Sequence, residues 1–225
     1  MPSARSDWTS YREALTDFII RSSAPGSDAL ILGAGKCNDF DTALLQSHFR
    51  SLTLIDRNSA ENVSELDLLG LNDNNYTELA HAVLSSCADP GKVAAALDRF
   101  FSKIYFPDIP EYDCIIAAGL HSQLCVVPAA MILSASHSFG TDPSCVLDRI
   151  KLENDRLIPA FDDFLLSHTR NNLISACEKG PVEGALQAIR DLHSRNILAE
   201  TELIWPFDIL QKVIYRMDVM SICPE

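Results

Sequence analysis

The residues best suited to chemistry begin at Gly33-Ala34-Gly35-Lys36-Cys37-Asn38. Two glycines one residue apart allow a tight turn and close backbone approach, and the amides opening the next helix can face a polar ligand. Asp56 follows 21 residues after Gly35. A carboxylate at that distance, at the end of a second strand, can accept hydrogen bonds from both hydroxyls of a ribose. Together they describe a nucleotide-type site. Taken singly, the glycines also suit an ordinary strand-to-helix turn, and Asp56 suits a helix cap. Further along, Ala117-Ala118-Gly119-Leu120-His121-Ser122-Gln123 offers His121. Its ordinary pKa of about 6.5 fits a general base for an acceptor hydroxyl or amine, with helix capping or pocket shaping as the alternative.

These residues need strands to carry them. Ala29-Leu30-Ile31-Leu32 is wholly apolar and ends in the glycine turn, as a central parallel strand buried on both faces would. Residues 39–50 can form a helix with Leu44, Leu45, His48 and Phe49 inward, and Leu52-Thr53-Leu54-Ile55 returns as a second strand ending at Asp56. Val63–Leu68 is expected as a third, shorter strand and Tyr112–Ala117 as a fourth, which places Ala118, Gly119 and His121 at the edge where open α/β sheets bind ligands.

Around this frame, residues 7–21 carry Trp8, Tyr11, Leu15, Phe18 and Ile19 at helical steps, with Ser6 or Asp7 as cap, and the Pro25-Gly26 stretch ends the helix. Residues 71–105 read as a helical insertion. In it Asp89-Pro90 starts a helix whose apolar side is Val93, Leu97, Phe100, Phe101 and Ile104. Leu124–Ser136 is expected as an apolar helix, Asp148–His168 as a helix interrupted at Pro159, Asn172–Cys177 as a fifth strand and Pro181–Ser194 as a helix. Ala199–Trp205 and Val213–Ile222 suggest a closing antiparallel hairpin through Pro206-Phe207-Asp208, with Trp205-Pro206-Phe207 in its core rather than forming an aromatic cage.

At 225 residues and 47% hydrophobic content, the chain fits one α/β domain spanning 1–225. The formal net charge of -13 disfavours a nucleic-acid partner. Seven scattered cysteines without a C-x-x-C pair fit reduced thiols in the cytoplasm. No secretory core is visible at the N-terminus, and no run approaches the roughly 20 apolar residues of a membrane span. The histidines other than His121 show no metal-like spacing, so no metal is expected. Oligomeric state is not readable.

Dinucleotide binders place a third glycine in G-x-G-x-x-G, where this chain has Asn38, so the pyrophosphate reading weakens. The order of strand, glycine turn, helix, strand and acid resembles the class I S-adenosylmethionine-dependent methyltransferases over nearly the whole chain after the first helix. The resemblance implies a doubly wound, seven-stranded, mostly parallel sheet with an antiparallel C-terminal strand. It also implies that Leu32, Gly33, Ala34, Gly35 and Cys37 lie against the methionine part of S-adenosylmethionine, that Asp56 binds the ribose with Arg57 near the adenine edge, and that Asp67, followed by Leu68, stands by the adenine amino group. Ala118 and Gly119 would complete the cofactor site.

The family pattern also has a third glycine in G-x-G-x-G and an acid two positions before the first glycine. This chain has Cys37 and Ile31 there. Asn38 or Asp39 is the candidate to replace the missing contact to the cofactor's amino group. Related proteins close the acceptor pocket from directions that here correspond to Tyr11 and Arg12 on the first helix and Glu178 after the fifth strand, with the inserted helices expected near the acceptor. The function so implied is methyl transfer to an O or N atom of a small molecule or peptide. A nicotinamide-dependent oxidoreductase, or a non-catalytic relative that binds the cofactor or a protein, stays open beside it.

Overall fold

The computed structural model describes residues 4–58, 62–86, 89–180, 185–208 and 211–224. A four-residue helix, α1 (Ala4–Asp7), is followed by α2 (Thr9–Ser22). The break falls at Trp8, so the expected single helix from residue 7 starts later, and neither Ser6 nor Asp7 caps it. Next come β1 (Asp28–Leu32), α3 (Thr42–His48), β2 (Ser51–Asp56), β3 (Ser64–Glu65), α4 (Asp73–Ser86), α5 (Pro90–Phe101) and β4 (Tyr112–Ala118). After a short turn of helix at His121–Gln123, the chain continues through α6 (Val126–Phe139), α7 (Ser144–Ser167), β5 (Thr169–Glu178), α8 (Ala185–His193), β6 (Asn196–Asp208) and β7 (Val213–Cys223).

The seven strands form one sheet in the order β3-β2-β1-β4-β5-β7-β6. β1 to β5 pair in parallel, and β7 inserts antiparallel between β5 and β6. Because a strand's side chains alternate, each central strand feeds two cores. Leu30 and Leu32, with Ile115, Ala117, Leu173 and Met220, face a core completed by α4 to α8. Ala29 and Ile31, with Cys114, Ile116, Ile174 and Val219, face α2 and α3. Burial on both sides explains why β1 and β4 read as continuous apolar runs.

Several local expectations change. β3 is only two residues long, because Leu66 to Leu69 leave the sheet and Leu66 is held by its N–H donating to the Asp56 carbonyl at 2.8 Å. Leu44 points outward, 51% exposed, while Leu45 and Phe49 are buried, since a seven-residue helix turns only a narrow face inward. α7 runs through Pro159 without ending; five of its residues from Leu157 to Phe164 are buried, and that packing holds the helix where the proline removes one backbone donor. In α5, Asp89 caps as expected, accepting from the Lys92 N–H at 3.2 Å, and Val93, Leu97, Phe100 and Phe101 are buried, whereas Ile104 lies beyond the helix end. The hairpin strands are longer than expected, so Trp205-Pro206-Phe207 lies within β6 at a register shift. Residues 181–184 of the expected Pro181–Ser194 helix lie outside the described residues.

One stretch departs from the membrane expectation. His121–Phe139 is a 19-residue stretch long and apolar enough by length and composition to cross a membrane. Here it folds as a short turn and α6, with Ile132 and Ala135 in the core and Val126, Leu133 and Phe139 half exposed.

Candidate functional site

The C-terminal ends of β1, β2, β4 and β5 meet along one edge of the sheet, and nearly every residue singled out for chemistry is found there. Gly33 leaves β1 with φ +69°, and a Cβ on it would stand 2.4 Å from the Leu120 side chain, so any other residue would be strained and would displace Leu120. Gly35 also has positive φ, and its N–H donates to Asp56 Oδ2 at 2.9 Å. Asp56 Oδ1 accepts from the Asn58 N–H at 3.0 Å. Asp56 is thus braced from both sides, with lone pairs left over. Cys37 sits at φ +53°, an uncommon conformation for a residue with a Cβ. The position where the resemblance calls for glycine holds a cysteine in a backbone conformation suited to glycine. Burial, with Asp39 and Asp56 nearby, raises the Cys37 pKa and keeps the thiol protonated.

A cavity of about 240 Å³ opens between Asp56 and Asp67, lined among others by Gly33, Arg57, Leu68, Tyr76, Leu120 and Val127. Asp67 is oriented firmly: Oδ1 accepts from the Leu69 N–H at 2.9 Å and Oδ2 from the Tyr76 hydroxyl at 2.7 Å. Arg57 lies 3.4 Å from Asp67 and stacks its guanidinium 4.1 Å from the Tyr76 ring centroid. Burial and the Asp67 carboxylate raise the Tyr76 pKa, so the phenol remains a neutral donor. Tyr76 was not foreseen as a site residue; only its place at the start of the insertion, nine residues beyond Asp67, hints at the pairing. Through Tyr76 the insertion serves this end of the cavity, beside β3. Tyr11, on α2, belongs to the core on the opposite face of the sheet.

On that face α2 is tied across the glycine turn. Arg12 donates to the Asn38 carbonyl at 3.0 Å, and the Asp41 N–H donates to Thr16 Oγ1 at 2.9 Å. Tyr11, 2% exposed, stacks on Trp205 with centroids 5.5 Å apart. Burial raises its pKa, and the charges of Asp39 and Glu178 raise it further. Burial pushes the Asp39 carboxyl up to about 6, against the lowering effect of Arg12. Gly119 has a close environment: a Cβ there would stand 3.6 Å from the Trp205 ring and 3.7 Å from Glu178 Oε1. Trp205 is core, as expected, packed against Trp8, Tyr11, Phe207 and Tyr215.

His121 is placed otherwise than as an exposed base. It is fully buried, with Nε2 2.7 Å from Asp162 Oδ1, Nδ1 3.4 Å from Cys177 Sγ and its ring edge-on to Phe161. Burial opposes a charged imidazole, but Cys177 and Asp162 outweigh it and hold the pKa well above the ordinary value. With both ring nitrogens engaged inside the core, the imidazole anchors the loop after β4 to α7 and does not face an acceptor.

Sheet pairing also creates a proximity that sequence spacing hides. The ligand atoms of His193, Glu200 and Asp218 lie within 4.8 Å of one another. Lys179 Nζ stands 3.8 Å from Asp218 Oδ2, so a cation already faces the buried carboxylate.

No protein-family model and no curated protein matches the sequence. Solved structures with a similar course of chain include the N-methyltransferase NodS from Bradyrhizobium japonicum WM9 in complex with S-adenosyl-L-homocysteine, 13% identical over 95% of this chain and 87% of that one, TM-score 0.46. Another is the magnesium protoporphyrin IX methyltransferase ChlM from Synechocystis PCC 6803 with bound S-adenosylmethionine, 9% identical over 96% and 78%, TM-score 0.43. A third is Thermoplasma acidophilum 1320, 10% identical over 94% and 82%, TM-score 0.42. The sheet itself, with five parallel strands and an antiparallel seventh inserted beside the fifth, is the doubly wound, mostly parallel, seven-stranded order expected from the sequence.

Proposed function

We propose that the chain is an S-adenosylmethionine-dependent methyltransferase acting on an O or N atom of a small molecule or peptide. The carrying observation is the cavity between Asp56 and Asp67. It combines a braced ribose-type acid, a second oriented acid and an apolar slot of Leu68, Leu69, Leu120, Leu124 and Val127, and it abuts a turn where a Cβ at Gly33 would displace Leu120. These features fit an adenosine. Asn38 in place of the third glycine favours a cofactor without pyrophosphate over a dinucleotide.

The residues fit the rest of the cofactor as well. Asp39 Oδ1 is buried and meets no hydrogen-bond partner among the described residues, and it stands just after the glycine turn, where it would receive the cofactor's ammonium group. When bound, the cofactor supplies a sulfonium-activated methyl group. The protein then needs chiefly to align the acceptor and exclude water, which α2, closed over the turn by Arg12 and Thr16, would do. With His121 sealed in the core, no histidine base is assigned to the reaction.

Calorimetry with S-adenosylmethionine, S-adenosylhomocysteine and NAD on the same preparation tests this. Micromolar binding of the first two without the third is expected. Binding of NAD alone would establish the oxidoreductase reading, and binding without S-adenosylhomocysteine release in the presence of cell extract would favour a non-catalytic relative.

A further inference from the structure

We propose that the acceptor is an amine, bound as its ammonium by Glu178, which also takes the proton that must leave before methyl transfer. The inference rests on the methyltransferase reading and deepens it.

Glu178 ends β5 and is 3% exposed. Its Oε1 accepts from the Ser122 hydroxyl at 2.8 Å. Its Oε2 is buried and meets no hydrogen-bond partner among the described residues. A buried carboxylate oxygen without a donor is costly, and proteins retain one where a ligand supplies the partner. A second such oxygen is Oδ1 of Asp39. The cofactor brings one ammonium group, and Asp39, which adjoins the glycine turn and feels Arg12, is placed for it. Glu178 is placed differently, at the end of β5, where it and the Trp205 ring border Gly119. It needs a positive donor of its own.

The chemistry of that donor follows. An acceptor hydroxyl would offer one neutral hydrogen bond to a carboxylate already served by Ser122, and an acceptor carboxylate would be repelled by Glu178 and Asp39 together. An ammonium satisfies the charge and the orphan oxygen at once. In the reaction the ammonium N–H passes its proton to Glu178 Oε2. The freed nitrogen lone pair then forms the N–C bond to the methyl carbon, and the C–S electron pair stays on sulfur, leaving a neutral thioether and a methylated ammonium.

Binding is the decisive measurement, made on the full chain saturated with S-adenosylhomocysteine. Ligand-observed NMR would compare matched probes: propylamine with propanol, benzylamine with benzyl alcohol, cyclohexylamine with cyclohexanol. The amines should bind about tenfold tighter or more than the alcohols, and Glu178→Gln should erase that preference while still binding S-adenosylhomocysteine. Equal binding of the alcohols, no binding of any probe, or a preference that survives Glu178→Gln would overturn the inference. Should the variant not fold, the wild-type comparison decides alone. Failure of the wild type to bind S-adenosylhomocysteine, measured first, would instead remove the methyltransferase reading itself.

Discussion

The Gly35 amide donates to the Asp56 carboxylate across 2.9 Å, joining the turn after β1 to the end of β2 before any ligand arrives. The same carboxylate that is suited to a ribose therefore also holds the turn that would cradle the rest of the cofactor. Preorganisation of this kind lowers the ordering cost of binding.

Asp56→Ala should lower affinity for S-adenosylhomocysteine by roughly 10- to 100-fold, the loss expected for hydrogen bonds to a charged acceptor. Asp56→Asn, which keeps one acceptor oxygen, should fall between. Calorimetry on folded protein reads both, and an Ala variant with wild-type affinity would place the ribose elsewhere.

Gly33→Ala meets two obstacles, a left-handed φ and the Leu120 side chain 2.4 Å from the new methyl group. A loss of about 2–4 kcal/mol in urea unfolding is expected. Adding Leu120→Ala should recover the steric part and leave the backbone part, so the double-mutant cycle should show clear coupling. Strict additivity would mean that the contact does not limit the turn.

Cys37 holds a conformation suited to glycine, with φ +53°. Cys37→Gly should stabilise the protein by about 1 kcal/mol, or a rise of roughly 2–4 °C in Tm, whereas Cys37→Val should destabilise it. A fall in Tm for the glycine variant would show that the half-buried thiol contributes more packing than its backbone strain removes.

Burial pushes the Asp39 carboxyl up to about 6 in the folded protein, from an ordinary 3.8. A raised folded pKa means that its contribution to stability is present below pH 3.8 and is lost as pH rises through 6. The cofactor-free protein should therefore gain from Asp39→Asn above pH 6, by at most about 3 kcal/mol. The same substitution should weaken S-adenosylhomocysteine binding, and Tm with and without ligand between pH 5 and 8 reads both effects. A variant that gains nothing above pH 6 would show that water or Arg12 already compensates the charge.

His121→Ala should cost about 3–5 kcal/mol, because Asp162 would be left buried and unpaired. Since the folded imidazole titrates above its ordinary 6.5, its stabilisation is complete below pH 6.5 and declines as pH climbs toward the raised value. The wild-type advantage over His121→Asn in urea unfolding should shrink in that direction. A fully stable His121→Ala protein that had lost only turnover would restore the role of base.

What the sequence determined by itself was local and periodic. Apolar runs announced β1, β4 and the two faces they serve, because a strand covered on both sides needs no polar alternation. The turn at Gly33 and Gly35 and the acid at Asp56 were legible because their chemistry depends on residue type and short spacing. Tertiary structure decided the rest. Leu44 and His121 each had the right type for a role they do not fill, since which way a side chain faces depends on what packs over it. Tyr76 beside Asp67, Tyr11 beside Trp205 and His193 beside Asp218 meet only once the sheet order and the helices above it are set. Glu178 looked like any acid at the end of a strand. Its meaning came from burial, from the one oxygen that Ser122 serves and from the other, buried with no partner among the described residues.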